Sequence, residues 1–598
     1  MARPVRLLGL AAAAVALLIP APATRAASPS SVANPIVSGP VTGGTPAKPF
    51  LAPHVDLAAY GYRMDEYFFS GTARAFGVTK GPAAYRSRMM VIRPIDADHF
   101  SGIADVEWDN VTGQVDVAPD WMMSYPHALA SGNAYVWVTA QQVGVCGNGL
   151  TGQVGLGPLS ACTPLSLKGL NPLRYSPLFH PGDAYAFDIF DQAAQAIRHP
   201  VGIPPLGPLH ATTMIAVGES QSSIELDQYI ANGADASARI FDGMLLDSDF
   251  HTQQPASFRV PTITLWGEDS GQAGVATTAP NHAIWSVVGA SHVDHWLVAD
   301  AVEEGETYLG SAKPLSRAQE DAFEVSAGDY GQEGPGASAT CAGDDELPRR
   351  YFVDAAFDDL DAWVRSGQTA PAVPPFEYTG LAHTVQEHPV TFAIPGLPAG
   401  INYSAAAVQE LAFVRDAHGN ALGGLRLPII TVPVASYNGP LCQLLGTTVP
   451  LLPTELRTLY PTHADYVTKV LAATRQTYDA RLMTRTDALD LLARACRSAI
   501  PAWGTTPAAQ QPAACSRLGT ELGPRAVTVG TAPANRRPNP VRRPTTVTAI
   551  RRPSGSLAAT GLGTTFVLLA TSALLAAVVA RRAQASGSRS DARAMLPR

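Results

Sequence analysis

The chain has 598 residues, of which 46% are hydrophobic and 15% are charged, so it can bury a large core and is not a disordered protein. The formal net charge of −8 argues against nucleic acid as the main partner, because phosphate binding requires a basic surface. A small uncharged or weakly polar ligand fits this composition better.

The first 27 residues are typical of a secretory signal peptide. Two arginines precede an apolar run from Leu7 to Ile19, and small residues suited to cleavage follow near Ala23 and Ala26. The run is shorter than the roughly 20 residues that a transmembrane helix needs. We therefore predict that residues 1–27 are a signal peptide and that the protein is exported.

Export would place the cysteines in a compartment that permits disulfides, and their even number suits pairing. Pairs that are close in sequence would leave one long-range pair, although the sequence alone leaves the connectivity open. These pairs would be Cys146 with Cys162, Cys496 with Cys515, and Cys341 with Cys442. No CxxC motif or His/Cys cluster has the spacing of metal ligands, so we expect no metal site.

Residues 28–505 form the predicted folded domain, with a core at about 60–300 and an extension or cap at about 301–505. Apolar runs alternate with helical patterns in this region, which predicts an α/β protein with a mostly parallel sheet. The predicted strands are Met89–Ile95, Gly102–Trp108, Ala134–Ala140, Thr212–Gly218, Ala238–Leu246, Val260–Gly267 and His282–Ala290. The predicted helices cover 119–132, 183–198, 222–233 and 350–367.

The stretch AVGESQSSIE, Ala216 to Glu225, places Ser220 between a strand and a helix. A serine on such a turn is exposed at the edge of the sheet, and the helix N-terminus beneath it supplies N–H groups for an oxyanion. This is the arrangement of a nucleophile elbow. The strict pattern is G-x-S-x-G, and Ser222 occupies the last position here.

A serine hydroxyl needs a base near neutral pH, and a histidine has a suitable pKa. In nucleophile-elbow enzymes the order along the chain is Ser, acid, His, with the acid and the histidine at later strand ends. His292 follows the strand at His282–Ala290, and His295 is the alternative base. Glu268 follows the strand at Val260–Gly267 and is the predicted acid. The alternative acids are Asp269, Asp247 and Asp249.

Backbone N–H groups should form the oxyanion hole. We predict that the Gln221 N–H contributes one donor, because it directly follows the nucleophile. The loop WDNVTG follows an earlier strand and should contribute the other donor, from Asn110 or Val111.

Seven segments, in order, resemble those of the large bacterial family of alpha/beta hydrolase domain-containing proteins. The resemblance extends from about Tyr67 to Ala499. The segments are VEWDNVTG, HPGDAYAFDIFDQAAQAIR, GESQSS, ARIFDGMLL, VVGASHVDHW, RYFVDAAFDDLDAWVRSG and DAHGNALGGLRLPIITVPVASYNG. The resemblance implies an α/β-hydrolase fold, with helices on both faces of the sheet and a largely helical C-terminal extension.

The same resemblance implies roles for three residues. The family pattern G-x-S-Q-S places the nucleophile at Ser220, and the GxxH segment places the base at His292. The acid segment, usually Q-T-E-T-D, places its glutamate at Glu268. This chain has Trp266 and Gly267 where the family has Gln and Thr, so the acid segment departs from the pattern.

Residues 506–556 are rich in Pro, Ala, Thr and Arg and predict an extended stalk. The stalk is followed by LAATG, then an apolar stretch at 562–580, then arginines. This order resembles a Gram-positive cell-wall sorting signal of the LAxTG form associated with class E sortases of actinobacteria. Leu557, Thr560 and Gly561 are the recognition residues that this resemblance implies, with cleavage after Thr560. A retained membrane anchor is the alternative.

Together these patterns predict a secreted, surface-anchored serine hydrolase that acts on a small ester through an acyl-enzyme and needs no cofactor. The expected partners are the ester substrate, a sortase, and the membrane or cell wall. Two alternatives remain open: an inactive hydrolase fold that serves in surface binding or adhesion, and an acyltransferase of the cell envelope.

Overall fold

The computed structural model describes residues 32–525 apart from several internal gaps. The gaps are 148–161, 164, 250–254, 271–274, 276–277, 311, 321–344, 380–382, 387–389, 393–400, 404–406, 411 and 441–444. Several predictions therefore lie outside the described residues. They concern the signal peptide 1–27, the pairing of Cys341 with Cys442, the apolar span 562–580, and the sorting residues Leu557, Thr560 and Gly561.

The strands of the main sheet are β1 Ile36–Ser38, β2 Tyr62–Ala73, β3 Ala83–Pro94, β4 Ile103–Trp108, β5 Ala134–Val138, β6 Thr213–Glu219, β7 Gly243–Asp247, β8 Thr262–Trp266, β9 Thr278–Ala279 and β10 His282–Ser286. Further strands are β11 His383–Gln386, β12 Val390–Phe392, β13 Ile401–Tyr403, β14 Ala407–Glu410, β15 Ala435–Asn438 and β16 Thr447–Pro450.

The α-helices are α1 Pro119–Ser131, α2 Gln142–Cys146, α3 Leu167–Leu170, α4 Pro172–Tyr175, α5 Ala186–Arg198, α6 Gln221–Ala231, α7 Ala234–Ala238, α8 His295–Leu309, α9 Arg350–Ser366, α10 Pro428–Thr431, α11 Pro453–Leu459, α12 His463–Asp479, α13 Arg485–Arg497 and α14 Leu518–Leu522. Short 3₁₀ helices cover Leu57–Tyr60, Ala97–His99, Asp183–Tyr185, Ala508–Gln510 and Ala513–Arg517.

The main sheet has the strand order β1-β2-β3-β5-β4-β6-β7-β8-β10-β9. The strands β5, β4, β6, β7, β8 and β10 run parallel to one another, whereas β1, β2 and β3 form an antiparallel edge. Every residue of β6 is buried. Burial along the whole length of the strand is typical of a parallel strand that is covered on both faces.

Helices cover both faces of this sheet. Alternate residues of β6 point to opposite sides, so that Ile215 and Val217 join one apolar core, and Met214 and Ala216 join the other. The helices α1, α8 and α9 pack in the first core, and α5 and α6 pack in the second. The predicted mostly parallel α/β architecture is confirmed.

One predicted strand is placed too early. The prediction gave a strand over Ala238–Leu246, but the structure has a helix that ends at Ala238 and a strand, β7, that covers only Gly243–Asp247. The apolar side chains of Ile240 and Phe241 caused the error, because they are buried in a loop that packs on the sheet.

The C-terminal extension is largely helical, as predicted, and packs against the edge of the main sheet. The N–H of Leu425 donates to the Ser286 carbonyl at 2.6 Å, and the N–H of Val288 donates to the Leu425 carbonyl at 3.0 Å. The extension therefore continues the sheet past β10, next to the loop that carries His292.

The folded region also extends beyond the predicted boundary at residue 505. Cys496 is bonded to Cys515, as the spacing suggested, and Cys146 is bonded to Cys162. Arg485 Nη2 donates to the Gly519 carbonyl at 2.9 Å, which fixes the start of α14 on the head. Residues 506–525 thus belong to the folded head, and their assignment to the stalk is wrong. Within the described residues, no helix is both long and apolar enough to cross a bilayer.

Candidate active site

Ser220 occupies a tight turn between β6 and α6. Its φ of 59° and ψ of −118° lie in a region that residues other than glycine rarely adopt. The turn is closed by Ser222, whose Oγ donates to the Glu219 carbonyl at 2.7 Å and accepts from the Glu219 N–H at 3.1 Å. A Cβ on Gly218 would lie 2.8 Å from the Ser222 carbonyl oxygen. The strand and the helix thus pass closely enough to require glycine at 218, and Ser222 is accommodated by its own hydrogen bonds.

His292 lies in the loop between β10 and α8 and faces this turn. Its Nε2 is 2.7 Å from Ser220 Oγ, and its Nδ1 is 3.1 Å from Asp269 Oδ2. The three side chains are nearly inaccessible to solvent. A hydroxyl, an imidazole and a carboxylate in this order can transfer the hydroxyl proton to the imidazole while the carboxylate orients the ring.

The carboxylate in contact with His292 belongs to Asp269, the alternative acid, and not to Glu268, the leading one. Glu268 Oε1 accepts from the Gly289 N–H at 2.7 Å, and its Oε2 forms an ion pair with Arg415 Nη2 at 2.9 Å. The prediction of Glu268 as the residue next to the histidine is therefore wrong. Glu268 instead ties the loop after β10 to the C-terminal extension.

The turn after β8 explains how Asp269 reaches the histidine. The Gly267 N–H donates to Ser270 Oγ at 3.1 Å, which bends the chain sharply. A Cβ on Gly267 would lie 2.3 Å from Asp269 Oδ1 and 2.6 Å from the Ala290 carbonyl oxygen. Glycine at 267 therefore permits the close approach that brings Asp269 beside His292.

The predicted oxyanion donors are only partly available. The Gln221 N–H is at the first position of α6, where it has no acceptor within its own helix. The Val111 N–H makes a long hydrogen bond of 3.3 Å to Gln221 Oε1, which a ligand oxygen could replace. The Asn110 N–H, however, donates to the Val117 carbonyl at 2.8 Å. The prediction of a main-chain role for Asn110 is therefore wrong, and Gln221 and Val111 remain as candidates.

The sequence analysis missed two buried charged residues beside the candidate triad, Glu219 and Arg349. Glu219 Oε1 is 3.2 Å from His292 Nε2. Arg349 forms an ion pair with Asp247 and donates to the Ser291 carbonyl at 2.5 Å, next to the histidine. A charged residue in an otherwise apolar run, as in the strand before Ser220, was the signal that could have identified Glu219.

These groups set the ionisation of the site. Burial lowers the pKa of His292, but the Glu219 and Asp269 carboxylates outweigh this effect and the net shift of the pKa is upward. Burial raises the pKa of Glu219 to about 7, although the nearby imidazole opposes the shift. Glu219 and His292 therefore influence each other's ionisation. Among the described residues, no group of three His, Cys, Asp or Glu side chains could hold a metal ion.

Comparison with known proteins agrees with this architecture. A family model described as "Alpha/beta hydrolase domain" matches residues 37–493. No curated protein sequence matches the chain. The predicted α/β-hydrolase fold is confirmed by the family match.

Solved structures that resemble the chain do so at low identity. The esterase Est22 is 11% identical with a TM-score of 0.22, and the match covers 35% of this chain and 65% of Est22, slightly less than two thirds of its length. A provisionally assigned dienelactone hydrolase from Klebsiella pneumoniae subsp. pneumoniae MGH 78578 is 12% identical with a TM-score of 0.17, and the match covers 42% of this chain and 83% of that one. For a provisionally assigned acetyl xylan esterase from Bacteroides fragilis NCTC 9343 the identity is 12%, the TM-score 0.19, and the coverage 32% and 46%.

Proposed function

Because the chain belongs to the alpha/beta hydrolase domain family, as the match over residues 37–493 shows, we propose that it is a serine hydrolase acting on carboxylic esters. The observation that carries the proposal is the 2.7 Å separation between Ser220 Oγ and His292 Nε2, with Asp269 on the opposite ring nitrogen. A buried serine hydroxyl needs a hydrogen-bond partner, but a purely structural role does not require that partner to be an imidazole held by a carboxylate. A serine that acts as a nucleophile does need such a base.

The proposed reaction has two halves. Ser220 Oγ forms a bond to the ester carbonyl carbon while its proton passes to His292 Nε2, and the Gln221 and Val111 N–H groups stabilise the oxyanion. His292 then returns the proton to the alcohol oxygen as the carbon–oxygen bond breaks, which leaves an acyl group on Ser220. A water molecule, deprotonated by His292, then attacks the acyl carbon, and His292 returns that proton to Ser220 Oγ as the carbon–Oγ bond breaks and the acid is released. Asp269 orients the imidazole throughout.

The location of this activity is part of the proposal. We infer that the protein works outside the cell, attached by its C-terminal segment to the wall or the membrane. The two disulfides of the head support this, because such bonds persist in oxidising compartments. The substrate would then be a small ester that reaches the cell surface.

Labelling with a fluorophosphonate tests the central claim. Purified full-length protein should be labelled, and Ser220→Ala and His292→Ala should both abolish labelling while Ser223→Ala, a change three residues along the same turn and helix, retains it. Hydrolysis of a series of p-nitrophenyl esters should follow the same pattern. Folded wild-type protein that takes up no label would refute the enzyme assignment and favour a surface-binding role.

A further inference from the structure

Glu219 is the last residue of β6 and immediately precedes the proposed nucleophile. It is only 3% exposed, and its Oε1 lies 3.2 Å from the same His292 nitrogen that faces Ser220 Oγ. The imidazole thus has carboxylates at both nitrogens, Asp269 at Nδ1 and Glu219 at Nε2. The proposed two-step reaction assigns no role to the Glu219 carboxylate at Nε2.

The carboxylate of Glu219 is held in place from a second loop. Asn110 Nδ2 donates to Glu219 Oε2 at 3.2 Å and to the Glu219 carbonyl at 3.1 Å. Both contacts are buried, so the carboxylate is fixed relative to its own backbone. Asn110 therefore leaves Oε1 directed at the histidine, and this side-chain role replaces the main-chain role expected for Asn110.

A fixed anion at this position matters at one stage of the proposed reaction. After Ser220 Oγ has bonded to the acyl carbon, His292 carries an extra proton on Nε2, and the serine oxygen has become a poorer acceptor for it. Glu219 Oε1 lies 3.2 Å from Nε2 and makes no hydrogen bond among the described residues in the resting arrangement, so its charge can attract the protonated imidazole. The interaction is strongest when the imidazole is charged, so it favours the charged intermediate over the resting state.

We propose that Glu219 is a positioning residue that holds protonated His292 between the two proton transfers of the acyl-transfer reaction. The inference rests on the proposed function for its catalytic meaning, although the contact between the two side chains does not depend on it. Asp269 would fix the ring from one side, and Glu219 would retain the proton on the side of the leaving group. The proton itself moves only between Ser220, His292 and the alcohol oxygen.

The other ionisable groups around Glu219 modify this effect without replacing it. These groups are Glu107 on β4, Asp120 at the start of α1, Asp247 at the end of β7, Asp269 in the turn after β8, and Arg349 just before α9. Arg349 opposes the protonation of His292, but it is paired directly with Asp247. Burial lowers the pKa of His292, but Glu219 and Asp269 both raise it and the net shift is upward, which agrees with this balance.

The test compares the wild-type full-length protein with Glu219→Gln, which removes the charge, and with Glu219→Ala, which also removes any amide that could compete for Nε2. Both variants should lower kcat/KM by about tenfold or more, since hydrogen bonds to charged groups contribute about ten- to a hundredfold to an equilibrium constant. In both, the acidic limb of the pH profile of kcat/KM should move to lower pH, because His292 loses an anion that favours its protonated form.

Glu107→Gln is the matched control, because Glu107 is also fully buried, on the neighbouring strand. Its carboxylate accepts from the N–H groups of Asp120 and Trp121 and from the Tyr135 hydroxyl. This variant should move the acidic limb much less than the Glu219 variants do, because the charge of Glu107 acts on Glu219 from the neighbouring strand. A fall in activity in the Glu219 variants with an unmoved limb, as expected for a structural role, would overturn the proposal.

A second readout does not require turnover. Histidine ring resonances of isotopically labelled full-length protein can be titrated by NMR, with the His292 signal assigned by its loss in His292→Ala. The His292 pKa should fall in both Glu219 variants and change much less in Glu107→Gln. If wild-type protein hydrolyses no ester, the proposed function fails, and this titration still decides whether Glu219 controls the protonation of His292. An unchanged His292 pKa overturns the inference in either case.

Discussion

Substitutions of the two adjacent carboxylates Glu268 and Asp269 should have different consequences. The change at Asp269 should lower activity, and the change at Glu268 should lower stability. Asp269→Asn replaces the acceptor at His292 Nδ1 with an amide that favours the wrong tautomer. In the serine protease template such a change lowers kcat about 10⁴-fold, equivalent to about 5 kcal/mol of transition-state stabilisation. We expect a loss of about 10³- to 10⁴-fold here, with little change in stability.

Glu268→Gln should instead affect folding. The variant can still accept the Gly289 N–H, but it loses the charge that pairs with Arg415, whose side chain is 23% exposed. Water can solvate part of that guanidinium, so we expect a loss of about 1–2 kcal/mol in the free energy of unfolding and a kcat/KM within about tenfold of the wild type. Ester hydrolysis and urea unfolding, measured on both variants, test which carboxylate supports activity and which supports stability. Loss of activity in Glu268→Gln together with active Asp269→Asn would refute this assignment.

Three further changes probe the turn, the cap and the C-terminus. Gly218→Ala should destabilise the protein by about 1–3 kcal/mol and reduce activity, because the added methyl group meets the Ser222 backbone. Thermal unfolding measures the stability, and ester hydrolysis measures the activity. An unchanged melting temperature would contradict the close approach of the strand and the helix at Gly218. Burial raises the pKa of Asp490, but Arg350 and a second arginine outweigh it and hold the pKa well below the ordinary value of 3.8. The stability that Asp490 contributes is therefore complete above about pH 4 and is lost progressively as the pH falls towards the folded-state value. Asp490→Asn should cost about 1–3 kcal/mol at pH 7 in urea unfolding, somewhat less at about pH 3 and still less at about pH 2. An equal loss at the highest and the lowest of these pH values would exclude this origin. Deletion of residues 557–561 in the native host should move the protein from the cell-wall fraction to the membrane fraction if a sortase uses LAATG, and an unchanged distribution would favour a retained anchor.

The sequence predicted the parallel part of the sheet well because those strands are mostly apolar. It gave no sign of β2, which contains Asp65 and Glu66 within its buried stretch. Glu66 is neutralised by Arg88 at 2.6 Å and Arg174 at 2.6 Å, which are 22 and 108 residues away in the chain. A charge whose partner lies so far along the sequence looks like a surface residue until the chain is folded.

The candidate site was predictable to the extent that chain order and strand ends determine it. Ser220 and His292 follow apolar strands in the expected order, and the structure brings them together. The choice between Glu268 and Asp269 depends on a side-chain direction, which the turn at Gly267 decides. The departure from the family pattern at Gly267 was the available clue, since a threonine there would have to displace Asp269 or the Ala290 carbonyl.

The burial of Glu219 indicates a functional role, because burying a charge is energetically costly. A glutamate in a strand whose residues are all buried must be paired or protonated, because an isolated buried carboxylate is strongly unfavourable. The structure offers it Asn110 and His292, and no buried lysine or arginine is in direct contact among its described neighbours. The carboxylate is therefore stabilised by a protonated His292, by its own protonation, or by both, and burial raises its pKa to about 7. A residue that functioned only in packing could be replaced by an apolar side chain at this position, whereas a residue that favours the charged imidazole could not.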